Sequence, residues 1–75
     1  PNPAKEYFEI KLPENNSDTT VKVTIYDILG RILLENTYAV QNNGVNVFLN
    51  KISNGVCILK VKTSQGVYSS KVLKE

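Results

Sequence analysis

The chain has 75 residues, of which 41% are hydrophobic and 21% charged, so it is long enough for one small domain. Its net charge is +2, from nine cations and seven anions, and the cations are scattered along the chain, which argues against nucleic-acid binding. It contains no His and a single cysteine, which excludes His-based triads, His-containing metal sites and internal disulfides. No apolar run reaches the roughly 18 residues of a membrane span. We therefore expect no enzyme, no cofactor, no metal and no transmembrane segment.

The first predicted element follows an unusual opening. In Pro1-Asn2-Pro3 two rings fix φ and remove two backbone donors, which favours an extended approach to a strand and marks a domain boundary. From Tyr7 to Leu12 apolar and polar residues alternate, which predicts a strand with one buried face. The apolar side carries Phe8, Ile10 and Leu12. A polar loop from Pro13 to Asp18 ends this strand, because its proline cannot donate to a ladder.

The second predicted strand, Thr20 to Tyr26, has the clearest alternation in the chain. Its apolar positions are Val21, Val23 and Ile25. The turn that follows it begins with Asp27, whose carboxylate can accept backbone N–H bonds, and ends with Gly30, which can adopt positive φ. The planar guanidinium of Arg31 could then clamp Asp27 or the carboxylate of an acidic partner.

The segment from Arg31 to Val40 is the ambiguous one, because its apolar residues would also suit a short helix. We predict a strand, with Ile32 and Leu34 on one face and Leu33 on the other, since no capping box opens the segment. Three further strands are predicted around Val45 to Asn50, Gly55 to Thr63 and Val67 to Leu73. Three tripeptides precede or open these strands and are predicted to form turns of the same kind as Asp27–Gly30, with the final glycine free to adopt positive φ: Asn42-Asn43-Gly44, Ser53-Asn54-Gly55 and Ser64-Gln65-Gly66.

Several short motifs stand in a fixed order along the chain. They are Pro1-Asn2-Pro3, Ile25-Tyr26-Asp27, Gly30-Arg31, Ile52-Ser53-Asn54-Gly55-Val56-Cys57-Ile58-Leu59-Lys60-Val61, and Gly66 followed by Ser70 to Glu75. With this order and spacing, residues 1–75 resemble the type A C-terminal sorting domain of cargo proteins of the type IX (Por) secretion system of Bacteroidota. The chain departs from the family pattern at Cys57, where the family usually has tyrosine.

The resemblance implies a single domain, Pro1 to Glu75, cut from a larger secreted cargo. The implied fold is a small immunoglobulin-like antiparallel β-sandwich of about seven strands. The implied function is a targeting signal that the outer-membrane translocon recognises and that a sortase then typically cleaves. The cargo, which travels through the periplasm and across the outer membrane, is attached at the cell surface or released. The residues implied in translocon recognition are Gly55, Val56, Gly66, Ser70, Lys71, Val72, Leu73, Lys74 and Glu75. Pro1, Asn2, Pro3, Asp27, Gly30 and Arg31 are the structural motif residues, and the prolines would hold an upstream cleavage site clear of the domain.

Four lysines, Lys60, Lys62, Lys71 and Lys74, cluster in the last two predicted strands. If these strands are antiparallel neighbours, most of the lysines would lie on one outer face. Such a face either discourages pairing between sheet edges or serves as a basic surface for an acidic receptor. Open edges would also allow two copies of the chain to form a homodimer. Cys57, which is flanked by Val56 and Ile58, is expected to be a small buried hydrophobe, with an intermolecular disulfide as the alternative.

A second hypothesis is a structural or carbohydrate-binding sandwich of an adhesin or a polysaccharide-degrading enzyme, since sandwiches host many functions. It requires a flat platform of exposed aromatic rings, for which Tyr26, Tyr38 and Phe48 are the candidates. A glycosidase pair of Asp27 with Glu35 or Glu9 would need a cleft that so small a domain has little room for.

Overall fold

The computed structural model describes residues 6–75, which form six strands and no helix. The strands are β1 (Tyr7–Lys11), β2 (Thr20–Asp27), β3 (Ile32–Ala39), β4 (Gly44–Phe48), β5 (Gly55–Thr63) and β6 (Gly66–Lys74). The prediction of an all-β chain is confirmed, and Arg31 to Val40 is a strand rather than a helix. Pro1, Asn2 and Pro3 lie outside the described residues.

The strands are arranged in two antiparallel sheets. The larger sheet has the order β3-β2-β5-β6, and the smaller sheet pairs β1 with β4. The described chain thus has six strands instead of the seven implied by the resemblance. The reason is visible in the sequence, where only six runs alternate. The longest connection, between β1 and β2, starts with a turn in which the Asn16 N–H donates to the Pro13 carbonyl at 2.9 Å.

Alternating apolar side chains from both sheets form one core. In the larger sheet Val23 lies opposite Val61, and Ile25 lies opposite Leu59. The buried side chains of the smaller sheet and its flanks face them: Ile10, Leu12, Val45, Val47 and Leu49. The predicted inner faces of β1, β2, β4 and β5 are therefore confirmed. Cys57 is also buried in this core, and desolvation raises the pKa of its thiol.

The predicted faces of β3 are wrong at its start. The pairing of β2 with β3 shifts between Ile25 and Tyr26, so that Ile25 lies opposite Leu34 but Tyr26 lies opposite Ile32. Leu33 is the extra residue of a β-bulge, and one extra residue moves the side chains that precede it to the other face. Ile32 and Leu34 consequently lie on opposite faces of the sheet, and Ile32 is exposed.

The turn before β4 uses different residues from those predicted. Positive φ falls on Asn42 (52°) and Asn43 (59°), the two central positions of a tight hairpin turn between Gln41 and Gly44. Asparagine tolerates the left-handed region better than most residues. Gly44 instead begins β4, where an added Cβ would lie 3.1 Å from the Ile10 carbonyl oxygen. This glycine therefore permits close strand packing and not a turn.

Candidate functional site at the motif end

Three segments that carry predicted site residues meet at one end of the larger sheet. Asp27 pairs with Cys57 across β2 and β5, while Val56 pairs with Leu73 and Gly55 with Lys74 across β5 and β6. This register brings together the β2–β3 turn, the start of β5 and the end of β6. We call the resulting surface, Asp27–Arg31 with Gly55–Val56 and Leu73–Glu75, the motif end.

Asp27 organises the turn of the motif end. Its Oδ1 accepts the backbone N–H groups of Leu29 and Arg31, both at 2.9 Å, and its Oδ2 lies 2.6 Å from Arg31 Nε. The Gly30 N–H donates to the Asp27 carbonyl at 3.0 Å, and Gly30 has a φ of 87°. The Arg31 backbone N–H is the largest cause that holds the pKa of Asp27 below its ordinary value, and the Arg31 side chain and the Leu29 N–H lower this pKa further. The turn is therefore fixed by one carboxylate.

Lys74 closes the core beneath the motif end. It lies on the inner face of β6, two positions after buried Val72, and is itself largely buried. Its Nζ donates to Asn54 Oδ1 at 3.4 Å and to the Glu75 carbonyl at 3.1 Å. The aliphatic stem thus covers apolar surface while the ammonium reaches polar atoms at the rim. Lys74 consequently links the last strand to the loop that leads into β5.

The motif end exposes apolar side chains. Ile28 and Leu29, at the tip of the turn, are 72% and 76% exposed, and the cross-strand pair Val56 and Leu73 is 43% and 39% exposed. Ile32 is exposed on the same outer face, beside Tyr26. A chain this small gains stability from every apolar side chain that it buries, so leaving several uncovered at one end costs stability. Exposed apolar patches occur at surfaces that bind other proteins, membranes or ligands.

A shallow cavity of about 280 Å³ adjoins the patch. Its walls include Asp27, Arg31, Lys51, Asn54 and Val56. Arg31 and Lys51 thus bring two cations to the wall of this cavity, beside the apolar side chain of Val56. No group of His, Cys, Asp and Glu side chains in residues 6–75 could hold a metal ion.

The structure separates other residues that the sequence placed in one set. Gly66 lies at the far end of β6, opposite Thr63, eight residues from Lys74. Ser70 and Val72 lie on the inner face, whereas Lys71 lies on the outer face opposite Ile58. Of the four clustered lysines, Lys60, Lys62 and Lys71 share the outer face and Lys74 does not, because it lies an odd number of positions from Lys71.

The arrangements required by the second hypothesis are not formed. Lys60 Nζ lies 5.2 Å from the centre of the Tyr26 ring, and Tyr38 packs against the core. Phe48 is tilted by 52° against Tyr7 and forms no flat platform with it. The three acids of the proposed catalytic pairs are each engaged by a different cation: Asp27 with Arg31, Glu35 with Lys22, and Glu9 with Lys11.

Comparison with known protein families gives a match over the whole chain. A family model described as a secretion system C-terminal sorting domain matches residues 1–75, the whole chain. The chain belongs to this family of sorting domains. Searches of curated proteins and of solved structures give no significant match. The carbohydrate-binding alternative receives no support from these comparisons.

Membership of the family defines the general function of the chain. Sorting domains of the type IX system act as C-terminal signals for protein transport, and they mark proteins that are exported to the cell surface or secreted across the outer membrane. Such a signal has to interact with the secretion machinery. Nowhere in residues 6–75 is there a helix with the length and apolar character to cross a bilayer.

The exposed residues at the turn tip are the part of the site that sequence reasoning missed. The turn rules identify Asp27 and Gly30 as turn residues, but they assign no role to Ile28 and Leu29 between them. Turn tips usually carry polar residues, so two consecutive large apolar residues in a four-residue turn were the available signal.

Proposed function

We propose that the motif end is the surface through which the secretion machinery recognises this sorting domain. The observation that carries the proposal is the coincidence of the exposed pair Val56–Leu73 with exposed Ile28 and Leu29, at the end where the family motifs meet. Burial of such side chains against a receptor would supply affinity, and the Arg31 and Lys51 charges at the rim would set orientation. The domain then acts as a binding module and performs no reaction of its own.

The motif end exists only in the folded domain. Leu73 and Val56 become neighbours only when β6 pairs with β5, and the Ile28–Leu29 tip is presented only when Asp27 fixes its turn. An unfolded chain would therefore not display the composite surface. The translocon therefore recognises the folded domain. The end of β6 is one of the three segments that form the recognised surface.

We further propose that a sortase acts close to the motif end after export and that the cargo is then attached at the surface. The Leu49 N–H donates to the Glu6 carbonyl at 2.7 Å, and the loop after Leu49 leads directly to Gly55. Glu6 and the start of β1 therefore lie at the same end as the motif end. A receptor complex bound at the motif end would therefore also lie close to the start of β1, and one complex could hold the domain while a sortase processes the cargo.

The test is export of a reporter fused to residues 1–75 in a bacterium with a type IX system. Val56→Glu and Leu73→Glu place a charge in the exposed apolar pair, and each is expected to reduce the surface-exposed or released reporter at least about tenfold, because the carboxylate would be desolvated at the interface. Val67→Glu is the matched control, since Val67 lies on the same outer face of β6, is 59% exposed and sits at the opposite end.

Folding has to be verified separately for each variant, by circular dichroism and thermal unfolding of the 75-residue chain. Folded Val56→Glu and Leu73→Glu chains that fail to export, with normal export of Val67→Glu, would support the proposal. Equal export of all three variants would refute it. Deletion of Lys71–Glu75 is expected to abolish export as well, and normal export of that truncated fusion would also count decisively against recognition at the motif end.

A further inference from the structure

A groove of about 300 Å³ runs between β1 and β6, away from the motif end. Its residues include Phe8, Ile10, Leu59, Val61, Tyr68 and Ser70. Leu59 and Val61 are buried members of the core, whereas Tyr68 remains partly exposed at the rim. The two-stranded sheet is narrower than the four-stranded sheet on which it packs. The groove lies beside β1, where the smaller sheet no longer covers the larger one. Apolar side chains of an added segment would fit here against existing core residues.

The backbone next to this groove offers hydrogen-bonding groups. Thr63 and Gly66 close a hairpin with a two-residue turn, and such a closing pair is hydrogen-bonded. Alternation along β6 then directs the N–H and C=O groups of Gly66, Tyr68 and Ser70 towards β5, and those of Val67 and Ser69 away from it. No described strand pairs with the Gly66–Ser70 half of β6 on that side. This half is therefore open to strand addition.

The other edge of the same sheet is protected. β3 carries the bulge at Leu33, and Glu35 on this strand accepts from Thr24 Oγ1 at 3.0 Å and lies 3.6 Å from Lys22 Nζ. Bulges and charges are the usual means of blocking edge pairing. The Gly66–Ser70 half of β6 has neither a bulge nor a proline, and its inward positions, Tyr68 and Ser70, carry no charge.

Two lysines on β5, next to the open edge of β6, favour a partner with acidic side chains. Lys60 lies opposite Ser69 and Lys62 lies opposite Val67, both on the outer face. Lys62 also lies opposite Lys22 on its other side, and like charges in directly opposed positions repel. Among the ion pairs formed within residues 6–75, none involves Lys62. An acidic side chain on an added strand would relieve this repulsion.

We propose that the Gly66–Ser70 half of β6 accepts a short extended protein segment with apolar residues facing the groove and acidic residues facing outward. Val67 and Ser69 supply the backbone bonds, the groove receives the apolar side chains, and Lys62 pairs with a carboxylate. A second copy of the chain suits this edge poorly. The outward residues that its own Gly66–Ser70 segment would bring are Val67 and Ser69, and neither is acidic.

The test uses the isotopically labelled 75-residue chain and a capped peptide, Thr-Val-Glu-Val-Glu-Val-Thr, followed by NMR. We expect saturable shift changes at Val67–Ser70 and Phe8, and slower hydrogen exchange at the Val67 and Ser69 amides. The matched peptide with lysine in place of glutamate should bind about threefold to fivefold more weakly, the effect of one exposed ion pair. Lys62→Glu should reverse this preference between the two peptides.

Ser69→Pro removes one outward N–H at an edge position where proline is tolerated, and it should weaken binding of both peptides while the chain stays folded. Shift changes confined to Lys22 and Glu35, with no slowing of amide exchange, would mean surface ion pairing and would overturn the proposal. So would the absence of peptide binding at millimolar concentration, or dimerisation of the peptide-free chain through the same amides.

Discussion

At both ends of the larger sheet an aspartate carboxylate holds a turn, but the tip of one turn is apolar and the tip of the other is polar. At the motif end, Asp27 fixes the β2–β3 turn and the tip presents Ile28 and Leu29 to solvent. At the other end, Asp18 accepts the Ser64 N–H at 2.8 Å, and Gln65 Nε2 donates to the Asn15 carbonyl at 3.3 Å. We call this second region, the loop 13–18 with Thr63–Gly66, the turn end.

The difference teaches which features serve the fold and which serve recognition. Both carboxylates satisfy backbone donors and both have a lowered pKa, so each end obtains a fixed turn. The turn tip of the motif end, Ile28 and Leu29, is apolar and exposed beside Val56 and Leu73, whereas the other end exposes Val67 and Tyr68 next to a polar turn. Stability is therefore shared between the two ends, whereas the surface that we propose for the secretion machinery lies at one of them. Variants that alter the core should disturb both ends, and variants of the turns should separate them.

The largest effect is expected from the core that the two ends share. Ile25 is fully buried between the sheets, so Ile25→Ala should cost about 3 kcal/mol through lost burial and a residual cavity. In a domain of this size that lowers the unfolding midpoint by more than about 10 °C. Thermal unfolding followed by circular dichroism would measure it. Exposed Ile28→Ala is the matched control, and an equal loss of stability in both variants would contradict the assignment of the core.

A smaller effect that is confined to the motif end is expected from Gly30→Ala. Gly30 has a φ of 87° with no atom near an added Cβ, so the cost is backbone strain and not a clash, at about 1 kcal/mol. Gly44→Ala is the contrasting variant, because its Cβ would press on the Ile10 carbonyl without any positive φ. Hydrogen exchange should locate the Gly30→Ala perturbation at Asp27–Arg31, and an effect spread over β1 and β4 would contradict it.

The carboxylates at the two ends predict a loss of stability in acid. Asp18 and Asp27 have a lower pKa in the folded chain than in the unfolded chain, where it is about 3.9. Their contribution is therefore complete above that value and is lost as the pH falls through the lower folded pKa. Unfolding midpoints measured between pH 6 and pH 2 should show this decline. The double variant Asp18→Asn/Asp27→Asn should flatten it, and an unchanged slope would mean that other groups are responsible.

Sequence reasoning was most successful where side chains obey a simple period. The buried faces of β1, β2, β4 and β5 follow from alternation alone, because each strand has one face in the core. It failed at Leu33, because a bulge depends on how two strands meet and leaves no local mark. It also assigned positive φ to Gly44 when Asn42 and Asn43 adopt it, since several residues of that turn were equally suitable.

The candidate site was only half predictable for a related reason. The motifs supplied Val56, Leu73 and the turn residues, but their meeting at one end depends on the register of β5 with β6. The separation of Gly66 from that end has the same origin. The exposed Ile28–Leu29 tip required knowledge of which apolar residues the two sheets leave uncovered.

The smallest expected effect concerns Lys62 and Lys22, which lie opposite each other on the outer face of the larger sheet. Lys62→Glu removes the opposition between Lys62 and Lys22 and should raise stability by a few tenths of a kcal/mol, because these charges are exposed and screened. The effect should shrink in high salt, and Lys62→Gln should give about half of it. The same change should weaken binding of the acidic peptide at the groove. Such a result would mean that Lys62 costs stability in the free chain and contributes to binding in the complex. A loss of stability in Lys62→Glu would instead show that Lys62 is not repelled by Lys22, and it would remove the physical reason for an acidic partner.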